Sequence, residues 1–101
     1  MPSFRVELEI GQLRRGRDPG EVMDTARACL ADYHVDATDV AITAGTPRIL
    51  LRFSIPDSGG PEENQAARLA AVHTRDAVAE VASTGRLWVL RRTGGRWLPL
   101  A

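Results

Sequence analysis

The chain contains no lysine, one cysteine and no apolar run near the roughly 18 residues that a membrane-spanning helix needs. Each lack excludes something. A lone Cys29 rules out an internal disulfide and a cysteine-based zinc site. The absence of lysine rules out the Walker type of phosphate loop. Positive charge is not in excess either: 13 arginines stand against 13 aspartates and glutamates, for a formal net charge of +0. That balance removes the broad basic field on which nonspecific nucleic-acid binding depends. Aromatic residues make up only 5% of the chain, so Trp88 and Trp97 are conspicuous. No charged and apolar leader precedes the first patterned segment, and a cytoplasmic protein is expected. An all-arginine cation set in an Ala- and Gly-rich chain has the look of GC-rich coding, which lowers the weight of any one arginine.

What is present is a clear succession of apolar periods. Phe4, Val6, Leu8 and Ile10 alternate with Arg5, Glu7 and Glu9, the mark of a strand with one buried face. Asp18-Pro19-Gly20-Glu21 carries the cap, the first-turn proline and the reciprocal acid of a helix start. From there Val22, Ala26, Cys29, Leu30 and Tyr33 form a helical stripe that is expected to stop near His34. Val40, Ile42 and Ala44 read as a strand, Gly45-Thr46-Pro47 as a turn, and Ile49, Leu51, Phe53 and Ile55 as the returning strand. A breaker cluster from Pro56 to Pro61 leads to a second helix with the stripe Ala67, Ala71, Thr74, Val78, Val81 and Ala82, ended by Gly85. Leu87–Arg92, the Gly94-Gly95 hairpin signal and Arg96–Leu100 complete the pattern.

At 101 residues the chain is expected to form one domain, 1–101. The pattern predicts an α+β, ferredoxin-like βαββαβ antiparallel sheet with both helices on one face and an extra C-terminal edge strand. Right-handed crossovers put strands one and three in the centre, strand two at one edge, and strands four and five toward the other.

A two-residue turn at Gly94-Gly95 pairs Arg92 with Trp97, Arg91 with Leu98, Leu90 with Pro99 and Val89 with Leu100. One face of that hairpin is then Leu87, Val89, Arg91, Leu98 and Leu100, and the other Trp88, Leu90, Arg92, Trp97 and Pro99. The first is expected to pack inward, leaving the two indoles outward beside Leu50 on the helix-free face. Exposed indoles forgo several kcal/mol at about 25 cal/mol per Å² and invite a cover. Leu50, Arg52, Trp88, Leu90, Arg92 and Trp97 are therefore the candidate interface or ligand-lining residues. The competing possibility is a sheet curled enough to bury both faces within one chain.

Other constellations are weaker. Arg14, Arg15 and Arg17 lie in a glycine-containing loop before a helix and could hold an anion, although a solvated loop accounts for them equally. Arg48 and Arg52 are expected to pair with Glu7 and Glu9 across the open face. His34 among Asp32, Asp36 and Asp39 straddles two elements and does not imply a metal site, and His73 with Asp76 suits a solvated helix face. Cys29 falls in an apolar stripe, where an inert thiol is expected. Domains that stack RNA bases on a sheet of this strand order need aromatics on the central strands, where this chain has Arg5, Glu7, Glu9, Arg48, Leu50 and Arg52. No nucleic acid, metal, cofactor or membrane is expected. The expected role is a non-catalytic module that homodimerises or docks on a protein partner through the open face and the last hairpin. The alternative is a dimeric protein or enzyme enclosing an apolar small molecule between two sheets.

Overall fold

The computed structural model describes residues 1–100. In chain order its elements are β1 (Ser3–Leu13), α1 (Gly20–Ala28), β2 (His34–Thr43), β3 (Thr46–Ser54), α2 (Glu62–Val78), β4 (Ala82–Thr93) and β5 (Arg96–Pro99). All strand pairs are antiparallel and the sheet order is β2-β3-β1-β4-β5. Among the described residues no helix is long and apolar enough to cross a membrane.

The core follows from the alternation in β1. Phe4, Val6 and Leu8 oppose Phe53, Leu51 and Ile49 on one side and Arg91, Val89 and Leu87 on the other. Phe4, Val6, Leu8, Leu51 and Phe53 are completely buried, under α2 residues Ala67, Ala71 and Val78 and α1 residue Ala26. Small side chains on α2 let its backbone approach the sheet closely. Asp18 starts α1 as expected, accepting the Gly20 N–H at 2.9 Å while Glu21 accepts the Asp18 N–H at 3.2 Å.

The ferredoxin-like βαββαβ expectation is corrected. The molecule is strand-rich, and both helices end well before their apolar stripes do. α1 stops at Ala28, and the chain descends through four-residue turns, Leu30 N–H to Arg27 C=O and Tyr33 N–H to Leu30 C=O, that still bury Leu30. α2 stops at Val78, and Val81 and Ala82, read as helical, are buried where the chain turns into β4. The residues released by the helices lengthen β2 back to His34 and β4 back to Ala82. What results is a five-stranded antiparallel sheet with one long and one short helix, and the ferredoxin-like assignment is not kept.

The β2–β3 turn also falls one residue earlier than expected, at Ala44-Gly45, where φ is 52° and 81°. Both positions are left-handed, as a tight hairpin turn requires, and alanine is strained there. Pro47 consequently lies inside β3, opposite Ile42, which a strand tolerates only at a pair without hydrogen bonds. At the other hairpin the expected register is found, Leu90 with Pro99, Arg91 with Leu98 and Arg92 with Trp97. The Leu100 N–H continues it to Val89 C=O at 2.9 Å. Leu87, Val89 and Leu100 join the core, whereas Leu98 stays 43% exposed because the helices do not extend over β5.

Candidate functional site

The helix-free face is built by odd-numbered residues of β1 and their cross-strand neighbours. One row runs Trp88–Glu7–Leu50–Asp39, and the next Leu90–Arg5–Arg52–Ala37. Trp97 lies beside Arg92 at the β5 end. All six candidate residues thus share this face, but they do not form one apolar cluster. Leu50 and Trp88 are separated by the β1 strand and its Glu7, about 9.5 Å apart at the usual strand spacing.

The indoles are not left in water. The guanidinium groups of Arg48 and Arg86 lie 4.0 and 4.9 Å from the Trp88 ring centroid, and those of Arg5 and Arg92 lie 4.6 and 5.6 Å from that of Trp97. Both indoles are half-buried as a result. Cation–π contacts at such sites contribute about 0.5–1 kcal/mol each. The expected bare tryptophan patch is therefore corrected to a layer of arginine laid over indole. Sequence pairing logic concerned carboxylates and missed these stacks; the signal was the proximity of Arg5 and Arg48 to the tryptophan-bearing strands once the register is known.

Charge on this face is uneven. Glu7 serves two arginines, Arg5 at 3.5 Å and Arg48 at 3.3 Å. Glu9 turns instead to the Arg86 backbone N–H at 2.8 Å. The expected carboxylate partner for Arg52 is missing: among the described residues its side chain makes no ion pair and no hydrogen bond, and it sits directly opposite Arg5. A depression of about 150 Å³ lies there, lined by Arg5, Ala37, Thr38, Asp39, Leu50 and Arg52. That is below the roughly 300–1,000 Å³ of a pocket that encloses a drug-sized ligand.

The remaining candidates are occupied elsewhere or dispersed. Arg14 Nε donates to Ala79 C=O at 3.1 Å, closing the end of α2, and Arg17 pairs with Glu21 at 3.0 Å. Arg15 is exposed, so the loop does not focus three cations on one point. His34 pairs with Asp36 at 3.2 Å, and Asp36 also accepts the Ser54 hydroxyl at 2.9 Å. Among the described residues no three metal-ligating side chains converge. Cys29, Asp32 and His73 do border one cleft of about 250 Å³. The thiol, however, donates to the His73 carbonyl at 3.8 Å, and burial pushes it up from its ordinary value against a smaller opposing pull from Thr74. A thiol kept protonated is a poor nucleophile.

One charged group is buried beneath the sheet. Glu63, at the start of α2, is 4% exposed; it accepts the Ser58 and Gly59 N–H groups at 2.8 and 3.2 Å and meets Arg91 at 3.0 Å. The adjoining Asp57 side chain, those N–H groups and the guanidinium hold its carboxyl at about 2. Arg91 also bonds Asn64 at 2.9 Å, so the network ties the loop before α2 to β4 and is structural.

No family model, curated protein or solved structure matches the chain.

Proposed function

We propose that the protein is a non-catalytic interaction module that docks a partner protein through its open sheet face and C-terminal hairpin, and that the docking segment of the partner is acidic with apolar anchors. The observation that carries this reading is the charge on β1, β3 and β4. On these strands five guanidinium groups, Arg5, Arg48, Arg52, Arg86 and Arg92, share that face with two carboxylates, Glu7 and Glu9. Two more carboxylates come from the edge strand β2: Asp39 lies on the same face opposite Leu50 and borders the Arg52 depression, and Asp36 accepts the Ser54 hydroxyl, so the cationic excess is centred on β1, β3 and β4. On a chain of net charge +0 this is a local field, suited to steering and orienting an oppositely charged surface. Trp88, Trp97, Leu50 and Leu90 supply the apolar contacts, and Arg52 the unpaired cation. Like-charge repulsion weighs against a second copy of the same face, and the two guanidinium groups at each indole leave little room for stacked bases.

Titrating the full chain with a peptide rich in aspartate and glutamate and carrying one leucine should shift indole emission saturably, with the effect lost in Arg52→Gln and in Trp88→Glu. No response at millimolar peptide rejects the reading. An equal response to single-stranded RNA would replace it with nucleic-acid binding, and emission that changes on dilution alone would replace it with self-association through this face.

A further inference from the structure

The two sheet edges differ sharply. β5 has four residues and ends at Pro99, which has no N–H to offer a further strand. β2 is ten residues long, pairs with β3 alone, and contains no proline. Its side chains on the helix side include Val40, 58% exposed, and Ile42, 74% exposed. They are bare because α1 is short: its first turn reaches only far enough to leave an apolar groove of about 300 Å³, lined by Ile10, Leu13, Pro19, Val22, Val40, Pro47 and Ile49.

The direction of the free backbone groups follows from two contacts. The Val40 N–H donates to the carboxylate of the adjacent Asp39 at 2.8 Å and so is turned away from β3. Ile42 faces Pro47, which has no N–H, so its own polar groups also point outward. Alternation extends the same orientation to Thr38. The backbone groups of Thr38, Val40 and Ile42 thus line the rim.

We infer that β2 is the seam of a homodimer in which a second copy adds its own β2 antiparallel, with the two-fold axis at Val40. This register sets Val40 against Val40 and Thr38 against Ile42 of the other copy, with two N–H···O=C bonds at each pair. The Val40 N–H exchanges its local Asp39 acceptor for a carbonyl. Charge placement selects the occupant. Asp36 and Asp39 both precede Val40, and Val40 to Thr43 carry no charge. Antiparallel self-pairing therefore opposes Asp39 to Ala41 and carries Asp36 past the strand end, whereas parallel pairing would align acid with acid. Ile42 of each copy is brought over Thr38 of the other, closing the apolar strip along the helix side.

Sedimentation equilibrium on the full chain should give twice 11.0 kDa at tens of micromolar and 11.0 kDa for Ile42→Lys, with unchanged circular dichroism because the side chain is exposed. The dissociation constant should rise at least about tenfold. In a Cys29→Ser background, Val40→Cys should crosslink to itself under mild oxidation, whereas Leu69→Cys, exposed on α2, should not. Trp88→Glu should leave the dimer intact, which separates this seam from the open-face reading. A chain that remains monomeric at millimolar concentration overturns the inference. So does a dimer that survives Ile42→Lys, or one abolished by Trp88→Glu.

Discussion

Arg48 and Arg52 are two turns of the pleat apart on β3, face the same way, and should respond to the same substitution with opposite signs. Arg52 stands directly across from Arg5 and, among the described residues, has no carboxylate partner. Like charges directly opposite on an antiparallel pair destabilise by roughly 0.2–1 kcal/mol. Arg52→Gln removes that repulsion while keeping most of the side-chain stem, so the variant should gain about 0.5 kcal/mol. Arg48, by contrast, is stacked on Trp88 at 4.0 Å and paired with Glu7 at 3.3 Å. Losing a cation–π contact of about 0.5–1 kcal/mol and a part-buried ion pair of similar size should cost Arg48→Gln about 1–2 kcal/mol. For a domain of this size 1 kcal/mol corresponds to roughly 4–8 °C in melting temperature, so the two variants should bracket the parent. Urea titrations should show the midpoints moving apart with unchanged slope. In 1 M salt, where the Debye length is about 3 Å, the Arg52→Gln gain should shrink. Equal signs for the two variants, or a gain at Arg52 that ignores salt, would refute the account of this face. A stabilising Arg52→Gln that also abolishes peptide binding is the pattern of a residue kept for docking at a cost in stability.

Two further outcomes follow from the fold. Because the Glu63 carboxyl is held at about 2 against an ordinary 4.5, its contribution to stability is present above pH 4.5 and is lost as pH falls toward 2. Glu63→Gln should flatten the acid limb of a urea-midpoint profile across that window, and an unchanged limb would assign acid sensitivity to other carboxylates. Ala44 adopts φ 52° in the β2–β3 turn, so Ala44→Gly should raise stability by about 0.5–1 kcal/mol in thermal melts, and a loss would show that the turn is not strained.

The legibility of this fold divides along physical lines. Alternation in β1 identifies Phe4, Val6 and Leu8 as core because a strand with one solvated face leaves no ambiguity of period. The Gly94-Gly95 hairpin could be registered residue by residue because its turn type admits only one pairing. Helix ends were not legible, since Leu30 and Val81 keep the apolar rhythm of the preceding helices while the backbone has already left them. Burial follows periodicity even where helical hydrogen bonding stops. The first half of β2 was hidden for the opposite reason. A register shift between Val35 and Ala37 breaks its alternation, and its even positions are bare of a covering helix. On the open face, hairpin register grouped Trp88, Leu90 and Trp97 on one side but did not itself decide which side the helices cover. The fate of their surfaces was not legible, because which arginine lies over which indole depends on neighbours from three strands.

The two surfaces also bear on one another. Arg52 stands next to β2, opposite Ala37, so the depression it lines with Arg5 is one strand from the proposed seam. Joining two copies along β2 places both open faces on one continuous sheet, with the two Arg52 depressions flanking the junction rather than lying on opposite sides of the assembly. A partner presenting two acidic segments would then bind each copy weakly yet hold the pair far more tightly, because the second contact is made at an effective concentration set by a short fixed spacing. Monomeric Ile42→Lys should keep the indole response to a single peptide and lose the enhancement for a tandem one. Retention of that enhancement in the monomer would show that the two surfaces act independently.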